Sequence, residues 1–178
     1  MTPGVIYVMD TSGLLDLKRD LSQETTEEKE RVWNAVRERM NRGNVVFPPH
    51  VLGELRRQHH KIEKQDWPYE TVAAADLDKA MPLSDVEMIT EVKRVLASCS
   101  AVLDAKKASG ADEADPWVVA MALKLAEDGE RVVVVCDDRK DTVVKMSLRT
   151  ACGIHGIGTI SARAFAHQTA IRISSEWK

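Results

Sequence analysis

The sequence predicts a single α/β domain wound on both faces of a parallel sheet. Three observations predict it. Short runs of Val and Ile recur with little polar alternation, the pattern of strands covered on both faces. Stretches with apolar residues at helical spacing lie between these runs. Their alternation implies crossover connections, and no internal repeat, low-complexity stretch or strong domain boundary interrupts it.

The first strand is "GVIYVM" (4–9), which stops at Asp10, Thr11 and Ser12. A helix is predicted over 25–42. Threonines and acids open it and Arg42 followed by Gly43 closes it, the polarity favoured by capping and the helix dipole. "NVVFP" (44–48) is the second strand. Val51, Leu52, Leu55 and Ile62 sit at near-helical spacing and predict a helix over 50–64. The segment 65–83 is the least regular and joins two helices. Ser84 with Glu87 three positions on matches a capping box, so a helix is predicted over 84–108. Pro116 suits an early helical position, and the helix over 116–128 stops before Gly129. "RVVVVC" (131–136) and "IHGIGTI" (154–160) are the third and fourth strands, and an amphipathic piece near 161–170 follows.

At 178 residues the chain is long enough to bury its own core. Hydrophobic residues make up 44% and charged residues 30%, a globular balance. Aromatics are only 4%, which argues against a surface built to stack single-stranded bases on aromatic platforms. A net charge of −3 does not mark the whole chain as a polyanion binder, although local basic segments leave room for a nucleic-acid enzyme. Cys99, Cys136 and Cys152 have no zinc-ligand spacing, and their odd number suits reduced thiols. The first residues are not a basic-then-apolar leader, and no apolar run approaches the ~18 residues of a membrane span. The expectation is a soluble, cytoplasmic protein.

In open α/β sheets ligands bind beyond the carboxyl ends of the strands. Asp10 lies at such an end, as do Asp137 and Asp138 after the third strand. Glu54 and Asp115 lie near helix starts, which a parallel sheet brings to the same edge. Acids from four separate segments could therefore meet in one cleft. Crowded carboxylates repel one another and resist desolvation. A divalent cation resolves that conflict, and an oxygen-only ligand set selects Mg²⁺ or Mn²⁺. Thr11 or Ser12 could position Asp10 through hydrogen bonds. Each acid also has a plainer reading. Asp115 before Pro116 could be a helix N-cap. Glu54 among Arg56, Arg57 and Lys61 could be a solvated helix charge. Asp137 and Asp138 could be turn residues, and "DTSG" is good turn chemistry. Joint placement on one edge carries the functional reading, not any one acid.

In this pattern the chain resembles the PIN-domain family of metal-dependent ribonucleases, which includes VapC-like toxins. "YVMDTSGLLDL" is similar to the family's opening strand, acid and hydroxyl, and "PPHVLGELRR" to its second block. "ADEADPWVVAMALKLAEDGERVVVVCDD" resembles its third and fourth blocks in order and spacing. The resemblance implies one three-layer α/β/α domain over 1–178, with a central parallel sheet of four or five strands. A helical insert at about 65–110 is longer than in compact members. It implies Asp10, Glu54, Asp115 and Asp138 as catalytic metal ligands for Mg²⁺ or Mn²⁺. Cys136 stands where the family has a hydroxyl two positions before its last acid; that spacing points to Asp138, and Asp137 could substitute. Asp112 could share the face of Asp115. The implied reaction is hydrolysis of RNA phosphodiester bonds by in-line attack of water, with Arg56, Arg57, Lys61, Arg139 and Lys140 steering the backbone. A cognate antitoxin and a homodimer are partners that the resemblance allows, and no membrane is implied.

Two other readings compete. A phosphatase of the haloacid-dehalogenase type also opens with a strand ending in a nucleophilic Asp, here Asp10. It needs a second Asp two positions on, where this chain has Ser12. A catalytically silent PIN-like module that binds RNA or protein is the other, and the presence of all the matched acids argues against it.

Overall fold

The computed structural model describes residues 4–62, 67–103, 113–137, 140–143 and 145–171. Four parallel strands form one sheet in the order β2-β1-β3-β4. They are β1 (Val5–Met9), β2 (Val45–Val46), β3 (Arg131–Val135) and β4 (Gly158–Ile160). Helices occupy every connection: α1 (Thr11–Asp20) and α2 (Thr26–Asn41) follow β1, and α3 (Pro49–Ile62) follows β2. The succeeding helices are α4 (Trp67–Ala73), α5 (Leu77–Ala80), α6 (Asp85–Ser98) and α7 (Asp115–Glu127). A short 3₁₀ turn at Ser100–Val102 follows α6, α8 (Leu148–Ile154) links β3 to β4, and α9 (Ala162–Gln168) follows β4. The result is a three-layer α/β/α domain around a four-stranded parallel sheet.

The strands are short, and β1, β2 and β3 are buried toward their carboxyl ends. Val8, Met9, Val45, Val46, Val134 and Val135 are all essentially inaccessible. On one face α7 lies along β1 and β3, with α6 and α8 packed against it. Val118, Val119, Ala120, Met121, Ala122 and Leu123 are all buried, so α7 is apolar nearly all round, as a central helix must be. On the other face α1 packs against α9, where Tyr7 of β1 meets Phe165 edge-on with ring centroids 5.1 Å apart. Arg39 of α2 donates to the carbonyl of Thr169 just beyond α9, tying these helices together.

Local chemistry sets the helix ends. The Thr25 hydroxyl accepts the Glu28 N–H at the start of α2. The predicted capping box is present at Ser84, with both reciprocal contacts to Glu87 made. Gly43 follows α2 at φ +73°, a left-handed conformation that a side chain would oppose.

The structure departs from the sequence reading in four places. Residues 11–20 form a helix rather than a simple turn, because Asp10 is its N-cap. The irregular segment 65–83 holds α4 and α5, with Pro68 and Thr71 buried. The helix expected over 84–108 ends at Ser98. The fourth strand starts only at Gly158, because Ile154 ends α8 and Gly156 turns the chain at φ +72°. Among the described residues, no helix is long and apolar enough to cross a membrane.

Candidate functional site

The carboxyl edge of the sheet is built around the junction of β1 with α1. The Asp10 N–H donates to the carbonyl of Val135, locking this junction to the end of β3. Gly13 makes the close approach possible. A Cβ there would stand 2.8 Å from the Val135 carbonyl oxygen and 3.2 Å from Met9 Sδ. Only glycine lets the first turn of α1 sit this near the neighbouring strand.

Asp10 is 2% exposed. One carboxylate oxygen, Oδ2, accepts the Ser12 N–H at 3.0 Å and the Ser12 hydroxyl at 2.5 Å. The other, Oδ1, is buried without a hydrogen-bond partner. Such an atom is costly unless something compensates it. Burial pushes the Asp10 carboxyl up to about 7, and the nearby carboxylate of Asp115 adds to the rise. The Ser12 hydrogen bonds pull the other way, and Glu54 adds a smaller upward push. Three of the sequence-predicted acids therefore share one electrostatic neighbourhood.

Glu54 is held at both oxygens by neutral donors. The Thr11 hydroxyl donates to Oε2 at 2.6 Å, and the Ala114 N–H donates to Oε1 at 3.1 Å. This one side chain of α3 thereby joins the start of α1 to the start of α7. Asp115 is not the N-cap of α7. That position belongs to Ala114, which makes no side-chain cap bond, and Asp115 occupies the first helical position with Pro116 behind it. Its carboxylate meets the Lys145 ammonium at 2.7 Å. Both partners are largely shielded from solvent, so the contact is stronger than a surface ion pair.

Asp137 reaches the same edge from β3. Its backbone N–H donates to the Ser12 hydroxyl at 3.1 Å, and its carboxylate accepts the Ala162 N–H at 3.1 Å. Ser12 is thus the hub: its hydroxyl receives from the end of β3 and donates to the acid at the end of β1. Cys136, next to Asp137 in the chain, is buried. Beneath the acids the Cys152 thiol is also buried, and burial pushes its titration upward.

Two residues of this edge were not legible as site residues. Asp16 lies one turn beyond Ser12 on α1, and its carboxyl is raised first by burial and then by the adjacent Asp137 carboxylate. An α1 assignment would have exposed it, since positions 12 and 16 share a helix face. Lys145 carries no such signal, because it comes from the irregular connection between β3 and α8. Arg56, Arg57 and Lys140 are exposed. Asp112, Asp138, Arg139 and the Lys61 side chain lie outside the described residues. Among the described residues, no three His, Cys, Asp or Glu side chains stand in a metal-binding arrangement. The donor set nevertheless suits a hard cation. It offers carboxylate oxygens only, one of them buried and without a hydrogen bond.

No curated protein and no solved structure matches the chain. A protein family does, over residues 7–173, which takes in β2, β3, β4, the end of β1 and every acid described above. The chain belongs to the family described as domain of unknown function DUF4411.

Proposed function

We propose that this protein is a metal-dependent endoribonuclease of the PIN-like kind, hydrolysing RNA phosphodiester bonds with Mg²⁺ or Mn²⁺. One observation carries the reading: Asp10, Glu54 and Asp115 come from three distant segments to one sheet edge, and a buried Asp10 oxygen there has no hydrogen-bond donor. Repulsion and desolvation both oppose that gathering, so a fold retaining it has a use for concentrated negative charge. Asp10, Glu54 and Asp115 would hold the ion, with Asp137 or Asp138 completing the set. Bound there, the ion would supply charge neutralisation and Lewis acidity for attack on phosphorus. Thr11 and Ser12 fix the orientation of Glu54 and Asp10. Arg56, Arg57, Lys61, Arg139 and Lys140 would draw in the phosphate backbone. A cognate antitoxin and a homodimer are partners to be tested on the strength of the resemblance. Three free, buried cysteines suit a reducing compartment such as the cytoplasm.

The test is cleavage of a single-stranded RNA by the wild type and by Asp10→Asn. Cleavage should require Mg²⁺ or Mn²⁺ and should vanish in the variant. Millimolar Mn²⁺ should also raise the melting temperature of the wild type but not of the variant. Full activity in Asp10→Asn would remove this acid from the reaction. An acid-labile phosphoryl group trapped on Asp10 would replace the proposal with the phosphatase reading.

A further inference from the structure

Along α3, the helix that carries Glu54, lies a cavity of about 200 Å³ lined by Pro49, His50, Gly53, Arg57 and Asp85. We infer that it receives the base of a nucleotide neighbouring the scissile phosphate of single-stranded RNA, with guanine the best fit. The inference rests on the nuclease reading and adds to it a recognition subsite and a base preference.

Four features argue for it. His50, Gly53 and Arg57 fall at i, i+3 and i+7 of α3, one helical face, and Glu54 of the acid cluster lies beside Gly53. Trp117, which backs the cavity by stacking on His50, stands two residues after Asp115 on α7, so the support of this wall and the acids share both helices. The His50 and Trp117 rings are stacked, with centroids 4.1 Å apart and planes 12° apart. Such a pair is a stiff π surface, and single-stranded RNA recognition stacks unpaired bases on aromatic and imidazole rings. The volume is below the ~300–1,000 Å³ of drug-sized pockets, which suits one planar ring system.

Gly53 is the third feature. It sits inside a helix, where glycine is unfavourable, and neither backbone nor packing calls for it. Its φ is not left-handed, and an added Cβ would come no nearer to a neighbour than 3.9 Å, the distance to Arg57 Nη1. What the missing side chain does is leave the cavity floor open. Fourth, the polar rim is divided. The Arg57 guanidinium matches a phosphate, and the Asp85 carboxylate, 3.9 Å from His50 Nδ1, accepts hydrogen bonds. Guanine presents two adjacent N–H donors on its Watson–Crick edge; uracil presents one, flanked by carbonyls that a carboxylate would repel.

The test uses the full chain in EDTA, titrated with GMP and with UMP and followed by tryptophan fluorescence, with Trp117→Phe assigning the signal. GMP should bind more tightly than UMP and should change the Trp117 emission. Gly53→Leu, which fills the cavity, should weaken GMP binding at least tenfold while keeping the wild-type Mn²⁺-induced rise in melting temperature. His50→Ala, which removes one ring of the stack, should weaken GMP in the same way and covers the case in which Gly53→Leu misfolds. Unchanged GMP binding in either folded variant, or no GMP effect on Trp117, would overturn the subsite. Cleavage and a metal-induced thermal shift with no such GMP effect would sink the subsite alone. GMP binding lost in Gly53→Leu, with neither cleavage nor a metal shift in the wild type, would sink the nuclease reading alone.

Discussion

Asp10→Asn should make the metal-free protein more stable, even as it destroys the activity proposed for it. Its carboxyl is raised from the ordinary 3.8 to about 7, with burial the largest cause and the Asp115 carboxylate next. A displacement of about three pH units at ~1.4 kcal/mol each makes roughly 4 kcal/mol, the cost of keeping Asp10 ionised in the fold well above pH 7. Asparagine removes that charge and keeps an acceptor for the Ser12 N–H. It also buries amide hydrogens that need partners, at a cost of ~1–3 kcal/mol. The net gain is therefore about 1–3 kcal/mol at pH 8 in EDTA, or roughly 2–12 °C in melting temperature for a domain of this size. The sign of the pH dependence follows from the raised value. Between about pH 3.8 and about 7 the folded wild type holds a proton that the unfolded chain has lost. Its stability from this group is complete below that window and declines as pH rises through it. Urea unfolding of both proteins in EDTA at pH 5, 6, 7 and 8 measures the effect. The difference should be small at pH 5 and largest at pH 8. A variant less stable than wild type at pH 8, or a difference independent of pH, would refute the reasoning.

Lys145→Met should lower stability in EDTA by about 1–2 kcal/mol, because it leaves the shielded Asp115 carboxylate without its ammonium. The same variant should show a larger Mn²⁺-induced rise in melting temperature than wild type, read by differential scanning fluorimetry. Gly13→Ala should cost about 1–3 kcal/mol, since its Cβ would stand 2.8 Å from backbone oxygen that cannot move without opening the sheet edge. Chemical denaturation checks it, and a neutral result would mean that α1 is not fixed against β3.

The strands and the long amphipathic helices were legible because burial writes a periodic pattern into them. Val132 to Val135 can hardly be anything but a covered strand, and Ser84 with Glu87 announces a helix start. What escaped the sequence was short or disguised. Asp10-Thr11-Ser12-Gly13 reads as turn chemistry, yet Asp at a turn is also the preferred N-cap, and here it starts α1. Gly13 deepens the disguise: its value lies in a contact with Val135, more than a hundred positions away. Helices α4, α5 and α8 each span only a few residues and take their stability from packing rather than from propensity. At the site, the acids were legible as ends of elements in a parallel sheet. The ion pair of Asp115 with Lys145 was not, because 30 residues and an irregular connection separate the two.

The way each acid is compensated distinguishes their roles. Glu54 has neutral donors on both oxygens, so its place is set by Thr11 and Ala114. Asp115 has a cation, which a competing divalent ion must displace or share. Asp10 has Ser12 on one oxygen and no hydrogen bond on the other. It is also the acid whose ionisation the other two oppose. A cation arriving at this edge therefore gains most at Asp10, where uncompensated charge is greatest and water is already excluded. Ser12 makes that gain specific. Its hydroxyl is anchored by the Asp137 N–H, so the Asp10 carboxylate cannot rotate to spread its charge without losing both of its Ser12 hydrogen bonds. The strand junction that organises the sheet edge thus also aims its most strained acid.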